Sequence, residues 1–180
     1  MKEINIKELV LNLIDTFLSA GEISINLRNK GLIKKIKSDN TPVSNGDLEV
    51  DKIISKKLQE LTPMIPIISE EASDNKSTKD LRDFWLVDPI DGTYDYINNL
   101  DEFTINAGLI IDRKPVAGII YAPSKKRMFY SYGEDKAYEL VKGKEIKLDG
   151  DRNFDKDNIK FVAYSDKIKP EIQKIYDKLK

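Results

Sequence analysis

Trp85-Leu86-Val87-Asp88-Pro89-Ile90-Asp91-Gly92-Thr93 is the stretch on which the fold and the site turn. An apolar run delivers an aspartate, a proline stiffens the exit, and a second aspartate, a glycine and a threonine follow at once. The pattern predicts a strand from Phe84 to Val87 that ends at Asp88, then a short helix near residues 93–98. Asp88, Asp91 and the Ile90 carbonyl would then aim at one point. Hard cations such as Mg²⁺ take oxygen ligands of this kind. Two such ions close together activate a water and steady a leaving oxygen. Pro89 has a fixed φ and no N–H, which lets the Ile90 carbonyl turn inward. Gly92 lets backbone approach a ligand. Thr93 suits the cap of the following helix, whose first amides favour a phosphate. Alone, the same segment is also what a capped turn after a strand looks like.

Spacing separates two other chemistries. An EF-hand loop needs acidic or amide groups at alternate positions and a Glu twelve along, which this segment lacks. Haloacid-dehalogenase-type phosphatases carry Asp-x-Asp-Gly-Thr with a nucleophilic first Asp. Here two residues separate the aspartates, which argues against a phospho-aspartate.

Composition narrows the options. The chain of 180 residues is long enough for one domain with a real core. Its apolar share of 40% and charged share of 34% fit a globular protein, and a net charge of −1 gives no general pull toward nucleic acid polymers. There is no cysteine, hence no disulfide or thiolate zinc site, and no histidine, hence no Ser-His-Asp or Cys-His catalysis. Acid–base chemistry falls to carboxylates, hydroxyls, Lys, Tyr or metal-bound water. No apolar run approaches the roughly 20 residues of a transmembrane helix, and the first residues lack a signal-peptide pattern. A cytoplasmic location is the expectation.

Residues 6 to about 27 carry Ile6, Val10, Leu13 and Phe17 at helical spacing, with Gly31 as a stop. Leu32 to Ser38 reads as extended, and Asp39-Asn40-Thr41-Pro42 as a turn. Ser44-Asn45-Gly46-Asp47 reads as a loop and cap, with Asp47 itself suited to the N-cap. A second helix runs through Leu48, Val50, Ile53, Ile54, Leu58 and Leu61 and is stopped by Pro63. Pro66 to Ser69 forms a short strand ending at Glu70-Glu71, and residues 72–80 are polar and loop-like. Five β-like segments follow: Phe103–Ile111, Lys114–Tyr121, Arg127–Ser131, Lys136–Val141 and Glu145–Leu148. Lys160–Tyr164 reads as one more strand and Lys169–Lys180 as a charged helix. The expectation is a single α+β domain over residues 1–180, with two N-terminal helices packed on a mostly antiparallel sheet.

Other acidic groups bear on the Asp88 segment. Glu70 and Glu71 alone would be a solvated acidic pair. If their strand lay parallel to the Trp85 strand, Glu70 would come near Asp88, and the cluster would repel itself without cations. Asp47, besides capping, could orient the Thr93 hydroxyl and through it an attacking water. Lys34, Lys35 and Lys37 read as a solvated basic face, with Lys37 a possible phosphate contact.

Three pieces, Thr41-Pro42-Val43-Ser44…Asp47, Ser69-Glu70-Glu71 and Trp85 to Thr93, resemble in order and spacing the lithium-sensitive, magnesium-dependent phosphatase family of inositol monophosphatase and 3′(2′),5′-bisphosphate nucleotidase. Glu102-Phe103-Thr104-Ile105-Asn106, Gly118 to Pro123 and Gly133 to Ala137 look more like the bacterial nucleotidase branch. The resemblance implies the N-terminal half of the sugar-phosphatase αβαβα fold. It implies hydrolysis of 3′-phosphoadenosine 5′-phosphate to AMP and phosphate by metal-activated water. Glu70, Asp88 and the Ile90 carbonyl would bind one Mg²⁺, and Asp88 with Asp91 a second. Gly92 and Thr93 would contact the phosphate, while Glu70, Thr93 and Asp47 would position the water. Inhibition by Li⁺ is implied as well.

Ser44 stands where the family usually has Thr, and Gly46 where it commonly has Ala. Family members are longer, with a C-terminal α/β half whose Trp-Asp segment supplies a further metal ligand. Trp85 is the only tryptophan here, so the expectation is a chain lacking that half and impaired in activity. One sheet flank would then lie uncovered and favour a homo-oligomer. Inositol monophosphatase-type activity, or a non-catalytic binding protein of the same fold, are the alternatives.

Overall fold

The computed structural model describes residues 5–37, 41–71, 81–149 and Gln173. Contacts group the chain into two units, Met1–Asp149 and Gly150–Lys180; of the second only the helical Gln173 is described. The segments expected at Lys160–Tyr164 and Lys169–Lys180, the polar stretch 72–80 and most of the turn at Asp39-Asn40 lie outside the described residues.

The first helical stretch is two helices, α1 (Ile6–Leu11) and α2 (Ile14–Lys30), where the apolar spacing alone predicts one. The amide of Leu13 donates to Val10 O at 3.0 Å, a tight i to i−3 closure that breaks the α pattern. Leu9, Val10, Leu13, Phe17 and Ala20 all stay in the core. Gly31 ends α2 at φ +96°.

β1 (Lys34–Ile36) and β2 (Pro42–Ser44) form a small antiparallel ribbon. It delivers Ser44 to the start of α3 (Asn45–Leu61), with Ser44, not Asp47, as the N-cap. The buried face of α3 is Val50, Ile54 and Leu58, the spacing of an amphipathic helix.

Among the described residues the remaining strands make one sheet of seven, in sequence order. They are β3 (Ile67–Ser69), β4 (Phe84–Asp91), β5 (Thr104–Ile111), β6 (Lys114–Ala122), β7 (Arg127–Ser131), β8 (Ala137–Val141) and β9 (Lys144–Leu148). Only β3 and β4 are parallel; every later pair is antiparallel. The α+β architecture therefore agrees with the sequence, and all five later strands lie within a residue of their expected bounds at both ends.

One face of the sheet is the core. Trp85 and Val87 on β4, Ile105 and Leu109 on β5, and Ile119 on β6 are buried with the helices' apolar faces. Trp85 hides its ring and still satisfies its indole, Nε1 donating to Thr62 Oγ1 at 3.0 Å. Cross-strand pairing runs Asp88–Asn106–Ile120–Phe129–Glu139–Ile146 as one row. Alternation places that row on the opposite face. There Ile120 is 46% exposed and Ile146 47%, with Leu86 beside them at 51%.

Candidate metal and phosphate site

β4 does not end at Asp88. It continues through Pro89 and Ile90 to Asp91, correcting the strand end read from sequence. Register runs Asp88↔Asn106 and then Asp91↔Thr104, so Pro89 and Ile90 stand against the single residue Ile105. That is a bulge. It has a consequence for the carboxylates. Residues three apart on a regular strand point to opposite faces, and one extra residue restores the parity. Asp88 and Asp91 therefore leave the same face, while Val87 and Ile90 are both buried. Pro89 suits the bulge because it has no N–H to leave unpaired.

The parallel pairing of β3 and β4 brings Glu70 to Asp88, as the sequence anticipated. Ser69 lies against Val87, and Glu70 N donates to Val87 O at 3.1 Å. Ser69 Oγ donates to Asp51 Oδ1 at 2.5 Å, tying the end of β3 to α3.

Asp47 is fully buried and closes a capping box. Its Oδ2 accepts from Ser44 N at 2.8 Å and Ser44 Oγ at 2.6 Å. Its Oδ1 lies 3.3 Å from Thr93 Oγ1, so one carboxylate serves both the helix start and the β4 exit. Thr93 is not the cap expected of it. Gly92, at φ +91°, is the N-cap of α4 (Thr93–Ile97), and a Cβ there would meet Glu102 O at 2.7 Å. Thr93 Oγ1 instead also donates to Ile90 O at 2.9 Å. Gly46 packs closely on Tyr96: a Cβ there would sit 2.3 Å from Tyr96 Oη, which donates to Ser24 O at 2.7 Å.

The lysines do not form a purely solvated face. Lys34 Nζ donates to Ile97 O at 2.9 Å. Lys37 Nζ pairs with Glu71 at 2.8 Å and Glu70 at 3.4 Å. Burial alone would lower the Lys37 ammonium, but bonds and charge from Glu71 and Glu70 leave it raised. Glu71 is pushed up by burial against the opposing pull of Lys37.

Asp88 is the most perturbed carboxylate. Burial, then the charges of Glu70 and Asp91, push it up to about 7. Its Oδ1 is buried with no hydrogen-bond partner. Asp47 is pushed up by burial, partly offset by the Ser44 bonds. Among the described residues no three carboxylates are grouped closely enough to hold a metal ion by themselves. An orphaned acceptor among like charges, with an all-oxygen donor set, nevertheless fits a hard divalent cation. Asn106 was not singled out as a site residue. Its Nδ2 donates to Asp91 Oδ2 at 3.2 Å, and its β5 pairing opposite Asp88 places it at the site.

Together these features define a class: an α+β domain with an acidic cluster where two parallel strands meet a helix start. The profile of the inositol monophosphatase family matches residues 6–180. The chain belongs to that family. It is 36% identical over 142 residues to the 3′(2′),5′-bisphosphate nucleotidase CysQ of Aggregatibacter actinomycetemcomitans, covering 78% of this chain and 53% of that protein. Among solved structures, CysQ from Bacteroides thetaiotaomicron superposes with a TM-score of 0.53 at 27% identity, over 73% of this chain and 48% of the other. Staphylococcal inositol monophosphatase-1, in an inhibitory complex with LiCl, superposes with a TM-score of 0.68 at 17% identity, over 77% of this chain and 52% of that one. The chain thus spans about half the length of the curated relative it matches.

Proposed function

We propose that this chain carries the cation- and phosphate-binding half of a phosphomonoesterase acting on 3′-phosphoadenosine 5′-phosphate, releasing AMP and phosphate. The observation that carries the proposal is Asp88, with a buried, partnerless Oδ1 and a carboxyl raised to about 7 by burial, Glu70 and Asp91. The name CysQ on relatives supports the nucleotide substrate.

Glu70, Asp88 and the Ile90 carbonyl would hold one Mg²⁺, and Asp88 with Asp91 a second. Bound there, the ions would lower the pKa of water and stabilise charge on phosphate oxygens. Gly92 and the first amides after it would receive the phosphate. The Thr93 hydroxyl has one proton and two acceptors in reach, Ile90 O and Asp47 Oδ1. When that proton goes to Asp47, an oxygen lone pair of Thr93 is left to orient the attacking water, with Glu70 on the other side. No imidazole is needed.

The test is phosphate release with Mg²⁺, with and without Li⁺, alongside Mn²⁺ binding. Cation binding that Asp88→Asn removes, with weak lithium-sensitive release, supports the proposal. A folded chain that binds no cation overturns it. Release from inositol phosphate only would favour the sister activity. A cytoplasmic setting belongs to the same proposal. Among the described residues no helix is long and apolar enough to cross a membrane.

A second reading is self-association through the outer sheet face. The exposed Leu86, Ile120 and Ile146 favour it.

A further inference from the structure

We infer that Asn106 is a positioning residue of the acidic site, acting through Asp91; this rests on the reading of that site as a cation site. The amide's orientation follows from chemistry. An ionised carboxylate only accepts, so the Asn106 atom facing Asp91 Oδ2 at 3.2 Å must be the donor Nδ2. Oδ1 is then the other atom of the amide, buried with no hydrogen-bond partner. The other buried side-chain atom without a partner, among the described residues, is Oδ1 of Asp88, the cross-strand neighbour of Asn106.

The two orphans belong to residues paired across β4 and β5. Asp91 lies beyond the bulge, paired with Thr104. Asn106 spans that irregularity and holds the Asp91 carboxylate on the face of Asp88. An aspartate at 106 would add a negative charge to the cluster and lose the donor. A leucine would leave the Asp91 carboxylate without its tether. An asparagine gives a donor to Asp91 and keeps a neutral acceptor for a water or its equivalent beside Asp88.

The test is a double-mutant cycle on Mn²⁺ affinity, read by the EPR signal of free ion. Asn106→Ala should weaken binding about 10-fold, which corresponds to about 1.4 kcal/mol. In an Asp91→Ala background the same change should have no further effect, because the residue acts through Asp91. Asn106→Val, which keeps strand propensity, should repeat the result and guards against a variant that fails to fold. Mn²⁺ binding unchanged by either substitution, or losses that add fully to that of Asp91→Ala, would overturn the assignment. Asp88→Asn separates the two levels. If the parent and Asp88→Asn bind Mn²⁺ equally, the site itself is wrongly placed and Asn106 falls with it.

Discussion

Thr93 Oγ1 lies 3.3 Å from Asp47 Oδ1, across a separation of 46 residues. The contact ties the start of α3 to the exit of β4, and the Asp47 carboxylate has no solvent exposure. Asp47→Ala should therefore cost about 2 kcal/mol in urea unfolding, since it strips the capping box and leaves Ser44 without its acceptor. Asp47→Asn keeps an oxygen for Ser44 and should cost about half as much. Any phosphate release should nonetheless fall about 100-fold or more, because the asparagine no longer fixes the Thr93 proton. Equal losses of stability and activity in the two variants would count against a role beyond capping.

Asp88→Asn should act in opposite directions in two assays. It removes a charge repelled by Glu70 and Asp91, so thermal stability without divalent cations at pH 8 should rise. The stabilisation gained on adding Mg²⁺ should vanish. A substitution that lowers stability in both conditions would mean that Asp88 is held by protein contacts alone.

The pH dependence has a defined sign. Asp88, raised to about 7 from an unfolded value near 4, holds a proton in the folded protein that the unfolded chain releases. Without divalent cations, stability should fall as pH rises from about 4 to about 7. Asp47 and Glu71, both pushed up by burial, act in the same direction. Asp101, lowered by its hydrogen bond to Arg28, has the opposite sign, but its effect lies below about pH 4 and leaves this range untouched. Saturating Mg²⁺ should flatten the slope, and urea midpoints at several pH values would show it. A stability that climbs over this range without cations would contradict the raised carboxyls.

Gly46→Ala should destabilise this chain. The new methyl would stand 2.3 Å from Tyr96 Oη and 2.7 Å from Tyr96 Cε1. Overpacking of this kind costs about 1–3 kcal/mol. Pairing it with Tyr96→Leu should recover part of the loss. An unchanged midpoint in the single variant would show that Tyr96 moves freely.

The outer sheet face supplies a concentration-dependent prediction. Sizing with light scattering should show association that rises with protein concentration. Ile120→Glu, on a residue already 46% exposed, should reduce it with little change in unfolding midpoint. A monomer at all concentrations would remove the second reading.

The strands and α3 were legible in the sequence because turn residues and apolar alternation mark them directly. Parallel pairing was anticipated from Glu70 and Asp88, each following a short apolar run. The α1–α2 break was not legible, since Leu13 keeps the helical spacing of the buried residues Leu9, Val10 and Phe17 across it. Nor was the continuation of β4 past Asp88. A proline and a glycine read as an ending, and only the partner strand shows that Pro89 sits in a bulge. The lysines were misread for a related reason, because composition cannot say that Lys37 reaches Glu71.

The β4 bulge makes the segment from Asp88 to Asp91 a matter of counting before it is a matter of chemistry. Deleting Pro89 or Ile90 would leave both aspartates in the chain yet turn them to opposite sides of the sheet. A conservative-looking indel there would do more harm than most substitutions. Among homologous sequences, the interval between these two acids should tolerate changes of identity and none of length.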